Sequence, residues 1–154
     1  MITITANRAE AFNLPFQIKN EFGGVIDITS LDVTFNLKES SASISVLLTK
    51  VSTDPDQIGK LLPTAGIGIV KILAINTATY GNRNYFYEIT CTGGTQQGFI
   101  KFKNNFDVTL TNIPIHGTTA EMNALALVLT SSDRVYFYND EDLSAYFWSG
   151  SAWT

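Results

Sequence analysis

One histidine, His116, and one cysteine, Cys91, are the residues of this chain best suited by type to nucleophilic or acid–base work near neutral pH. His116 lies in Ile113-Pro114-Ile115-His116-Gly117, a connector bounded by proline and glycine, with no second histidine to share a metal or complete a triad. It reads as a solvated or locally bonded loop residue. Cys91 falls on the inward register of an alternating stretch and reads as a small buried hydrophobe; as the single cysteine it cannot form an intrachain disulfide. The run Asn139-Asp140-Glu141-Asp142 offers oxygen ligands of the kind calcium takes, but it lacks the spaced ligands and the glycine of a calcium loop. A solvated hairpin turn is the simpler reading. Gly93-Gly94 sits between strand signals, with no helix N-terminus behind it to receive a phosphate. Asp27, Asp32 and Glu88 are scattered carboxylates that nothing in the sequence pairs. The chain therefore reads as non-enzymatic, with no catalytic residue, cofactor or metal expected.

The densest feature is aromatic: Tyr136, Phe137, Tyr138, Tyr146, Phe147, Trp148 and Trp153. Two facing strands cannot bury all of these rings within about twenty residues. One face must pack on the rest of the chain, on another chain or on a ligand. Packing is the favoured reading; stacking of a sugar on an exposed ring is the alternative.

Alternation at period two supplies most of the elements that must position these residues. Ile2 and Ile4 alternate with threonine, and Phe12, Leu14, Phe16 and Ile18 occupy every second position. Pro15 places that strand at an edge or a bulge. Val33, Phe35 and Leu37 resume the pattern after Gly23-Gly24, so the two stretches read as a hairpin-like pair. Ile44 to Val51 is a third apolar run, broken by Ser52-Thr53-Asp54-Pro55-Asp56. Gly66 to Ile75 is apolar on both faces and suits a central, doubly covered strand. Tyr85, Tyr87, Ile89 and Cys91 alternate, and Phe99 to Lys103 and Phe106 to Leu110 complete the set. About seven or eight short strands with regular turn signals predict a mainly β chain with an antiparallel β-sandwich over 1–112, with Phe16, Phe35, Leu37, Tyr87 and Ile89 facing inwards.

Beyond the connector at 113–117 the pattern changes. Thr118-Thr119-Ala120-Glu121 is a capping box, and Met122, Leu125 and Leu129 share one helical face. Two strands follow, Val135 to Tyr138 and Leu143 to Trp148. Residues 113–154 thus read as a short helix and β-hairpin appendage, too small to enclose a core. Its predicted role is docking between subunits, through Met122, Leu125, Leu129, Tyr136, Tyr138, Tyr146, Trp148 and Trp153.

The 154 residues suffice for one ordinary domain with a small appendage, able to bury roughly 70% of the unfolded surface. Charged residues are only 16% and the net charge is −4, without a basic patch, so no nucleic-acid partner is expected. Low charge also removes a barrier to self-association. The start Met1-Ile2-Thr3-Ile4-Thr5 lacks a charged region followed by an apolar core, so no signal peptide is read, and Gly66 to Ile75 is too short to span a bilayer. A protein made in a cytoplasm, without membrane insertion, is expected.

Two groups of segments carry a resemblance. Phe12-Asn13-Leu14-Pro15-Phe16-Gln17-Ile18, Gly23-Gly24-Val25-Ile26-Asp27-Ile28-Thr29 and Val33-Thr34-Phe35-Asn36-Leu37-Lys38 resemble the opening of immunoglobulin-like phage virion domains, such as the N-terminal domain of upper baseplate proteins. Tyr85-Phe86-Tyr87-Glu88-Ile89 and Gly98-Phe99-Ile100-Lys101-Phe102 resemble their closing strands. The stretch from Thr118 to Leu125, with Val135 to Asp140 and Tyr146-Phe147-Trp148-Ser149-Gly150-Ser151-Ala152-Trp153, is similar to a small appendage of phage tail and head-fibre proteins. The resemblance implies an immunoglobulin-like sandwich in a virion structural protein of tail or baseplate type, with other virion proteins as partners and a homo-oligomer, a trimer in the fibre appendages. A capsid-attached decoration or head-fibre protein is the alternative within that class. A carbohydrate-binding module contacting a host-surface glycan is the alternative from another.

Overall fold

The computed structural model describes residues 1–103, 115–131, 133 and 135–154. The chain is mainly β, and its strands form where the side chains alternate. The first eight are β1 (Ile2–Asn7), β2 (Phe12–Gln17), β3 (Thr34–Lys38), β4 (Val46–Val51), β5 (Ile58–Leu62), β6 (Ile67–Ile72), β7 (Asn84–Cys91) and β8 (Gly94–Lys103). A five-stranded sheet has the order β1-β8-β7-β3-β4, and a three-stranded sheet the order β2-β6-β5. All pairings in these two sheets are antiparallel except β1 with β8, which is parallel. The sheets face each other: Phe12 of β2 meets Phe102 of β8 edge-on, with ring centroids 6.3 Å apart. Phe16, Phe35, Leu37, Tyr87 and Ile89 are all buried, as the alternation predicts. Within the three-stranded sheet the Phe16 ring lies over its cross-strand partner Gly68 of β6, where an added Cβ would lie 2.3 Å from Cζ of Phe16.

β2 is an edge strand, which suits Pro15 because an edge position asks for no ladder hydrogen bond from it. β6 is the middle strand of its sheet, covered on both faces as its composition suggests. Two expectations need correction, and one apolar run takes a place the pattern did not specify. β2 and β3 do not form a hairpin; they lie in different sheets, and residues 18–33 carry the chain across. Alternation specifies a half-buried strand but not its partner. The third apolar run, Ile44–Val51, supplies an edge: β4 is the other sheet's edge, Val46 and Leu47 are exposed, and Ile44 is 98% exposed. Finally, β6 stops at Ile72. The Asn76 side chain accepts the Leu73 N–H at 3.0 Å, closing one helical turn, α1 (Ala74–Thr77). The strand expected at Phe106 to Leu110 and the boundary at 112/113 lie outside the described residues.

The C-terminal unit carries its own three-stranded sheet. β9 (His116–Gly117) runs parallel to β10 (Tyr136–Asn139), and β11 (Ser144–Phe147) is antiparallel to it. Between them lies α2 (Thr119–Ala126). Its capping box forms: Thr118 Oγ1 accepts the Glu121 N–H at 3.3 Å, and Glu121 Oε2 accepts the Thr118 N–H at 2.8 Å.

Candidate interaction surface

Residues Asn13, Pro15 and Gln17 of β2 alternate with the core-facing Phe12, Leu14 and Phe16, and so lie on the outer face of the three-stranded sheet. Gln17, buried, clamps β9 with its side-chain amide. Its Nε2 donates to His116 O at 3.0 Å and to Ala65 O at 3.2 Å, while its Oε1 accepts the His116 N–H at 3.2 Å. Further along, Asn13 Nδ2 donates to Asp133 Oδ1 at 2.7 Å, and the Asp133 Oδ2 accepts the Thr130 N–H at 2.7 Å. A cleft of about 350 Å³ marks the seam, with Ile69 and Lys71 of the sheet on one wall and Val128 and Asp133 on the other. The core of the C-terminal unit is therefore continuous with that of the sandwich.

This placement fixes how far each residue of the predicted docking set is covered by its own chain. Met122, Leu125 and Trp148 are buried in the chain's own core, so they are not free for a partner, contrary to expectation. Trp148 is only 5% exposed; its Nε1–H donates to Thr130 O at 2.9 Å. Trp153 packs on that ring at 5.3 Å and donates its Nε1–H to Met122 O at 3.0 Å. Leu129, Tyr146 and Trp153 are partly buried against the same core. Leu129 also lies past the helix, whose C-cap is Leu127, so the three-residue helical stripe is cut short. Tyr138 is partly exposed and packs on His116 at 5.1 Å. Of the predicted set, Tyr136 alone is classed as exposed, its ring 4.9 Å from Phe147. Besides Tyr136, the large apolar residues of this unit that face solvent are outside that set: Leu127 at 87% and Val128 at the end of the helix, and Leu143 at 70% in the hairpin turn. For Leu127 and Val128 the off-stripe position was the available signal.

The candidate reactive groups are placed as follows. His116 is not in a loop but in β9, where its Nδ1 lies 3.3 Å from Asp140 Oδ1 in an exposed pair. Cys91 is half-buried at the end of β7; burial pushes its thiol pKa up, which disfavours the nucleophilic thiolate. The acidic turn is a hairpin turn whose carboxylates serve their own chain. Glu141 Oε2 accepts the Thr119 N–H at 3.0 Å, and the Thr119 hydroxyl and N–H together hold its pKa below the ordinary value. Asp142 Oδ1 accepts the Ser144 N–H at 2.9 Å, and its other oxygen accepts the Tyr146 hydroxyl. Among the described residues no group of three His, Cys, Asp or Glu could hold a metal ion. Among them, too, no helix is long and apolar enough to cross a membrane.

No protein family, curated protein or solved structure matches this chain in comparison with known proteins.

Proposed function

We propose that this chain is a non-enzymatic structural protein of a phage virion, of tail or baseplate type, working by docking onto other particle proteins. The observation that carries this reading is the apolar surface left on a C-terminal unit whose interior is already filled. Leu127 and Leu143 stand almost free in water, with Val128 and Tyr136 also exposed. Covering such side chains is favourable, and interfaces use them. Low charge elsewhere opposes association only weakly. The resemblance of the strand segments and the terminal hairpin to virion domains supplies the class, including its immunoglobulin-like architecture. The test is mass spectrometry and immunogold labelling of purified particles. The chain is expected in them at fixed stoichiometry, and Leu127→Glu with Leu143→Glu should lower its incorporation while leaving the far-UV spectrum unchanged. A chain found only in the particle-free lysate counts against the reading.

Tyr136, half-exposed beside Phe147, favours a second reading as a platform for a host-surface sugar. A Tyr136→Ala protein that still joins particles but loses binding to host polysaccharide selects that reading. One that binds polysaccharide unchanged removes it.

A further inference from the structure

Between β2 and β3 the chain doubles back on itself at the end of the sandwich, with Lys19 bridged to Val25. Asn20 holds this turn with four hydrogen bonds. Its N–H donates to Gly24 O at 2.8 Å and its carbonyl accepts the Gly23 N–H at 3.0 Å. Its side-chain Oδ1 accepts the N–H groups of Phe22 at 3.0 Å and Gly24 at 2.8 Å. Gly23, at φ +82°, permits the reversal. A further bond, Thr95 N–H to Lys19 O at 3.3 Å, ties the turn to the start of β8. The outcome is a braced tip that carries Phe22, 88% exposed, with Val25 exposed behind it. Beside the ring lies a cleft of about 450 Å³ lined by Lys19, Glu21, Phe22 itself and Gly93 to Thr95.

We propose that this tip and cleft are a contact between two copies of the chain, in which Phe22 of each copy enters the cleft of the other about a two-fold axis. The knob and the cleft occupy one patch, and a contact that one patch makes with itself is isologous and closes at two copies. The charges fit the same operation. Lys19 and Glu21 line the cleft with opposite signs, and neither belongs to an ion pair among the described residues. A two-fold rotation sets Lys19 of one copy against Glu21 of the other, whereas a partner of uniform charge meets one of them as a like charge. The braced turn means little ordering is lost on binding. The contact does not rest on the virion reading, since a pair can form in solution whether or not the chain joins a particle.

Sedimentation equilibrium of the full chain tests it. A reversible monomer–dimer equilibrium is expected. Phe22→Ala should raise its Kd by about tenfold or more, with far-UV spectrum and thermal midpoint unchanged because the ring touches no core. Lys19→Glu and Glu21→Lys should each weaken the dimer several-fold, and the double exchange should restore it. A chain that stays monomeric at about 1 mM, assembles beyond two copies, or forms a dimer indifferent to Phe22→Ala overturns the proposal. So does a double exchange as weak as the single ones.

Discussion

The sandwich and the C-terminal unit bury their side chains by different means. In the sandwich, two sheets interleave rings and branched aliphatics, as where Phe12 of one sheet meets Phe102 of the other at 6.3 Å, and among the described residues directional polar bonds between the sheets, such as Gln17 N–H to Gln96 Oε1, are few. In the C-terminal unit each tryptophan is pinned by a hydrogen bond to a backbone carbonyl, and β9 is held by a side-chain amide from the neighbouring sheet. The contrast follows from size. Two sheets can exclude water by area alone, while a two-turn helix and three short strands cannot. The smaller unit completes its core against the outer face of β2 and β6 and fixes its rings by directional bonds.

The largest expected effect tests the first half of that contrast. Phe35→Ala removes a fully buried ring from the sandwich and should lower unfolding free energy by about 3–5 kcal/mol, measured as a shift in the denaturant midpoint. A loss under 1 kcal/mol, on the scale of a surface substitution, would mean that the inter-sheet core is not the main source of stability.

Gln17→Ala tests the second half. It strips both His116 backbone groups of their partner and should cost about 1–3 kcal/mol. Native-state hydrogen exchange should show faster opening at β9 and β10, with β7 and β8 still protected. Equal loss of protection in all four strands would show that the two regions open as one.

The smallest effect is electrostatic and confined to the C-terminal unit. Glu141 has a folded pKa below its unfolded one, because Thr119 donates to the carboxylate. Its contribution is therefore present above the ordinary glutamate value, about 4.3, and is lost as pH falls through the lower folded value. Glu141→Gln should be slightly less stable than the parent at neutral pH and equal to it in strong acid. An advantage of the parent that grows on acidification would reverse the assigned sign.

Much of the architecture is legible residue by residue. Period-two alternation places β1, β2, β3 and β7 and says which side chains turn inwards, because successive strand residues face opposite sides. Pro15 marks an edge, the double-faced apolar composition marks β6 as central, and Thr118 with Glu121 marks the start of α2. These signals are local, and the chain carries them whatever it packs against.

Pairing and exposure are not local. β5, with its Gly59 and Lys60, has no alternation to announce it and is a strand because β6 supplies its ladder. The exposure of Ile44 and the choice of the chain's own core, not another chain, as the cover for Trp148 are not set by composition, since each depends on which layer lies opposite. The seam at Gln17 joins residues 99 positions apart, and the cleft beside Phe22 is made by two turns from opposite sheets. Sequence by itself determined which residues could be strand or helix and which face of each was apolar. Tertiary structure alone decided which faces were covered, because burial belongs to the contact between elements and not to either element.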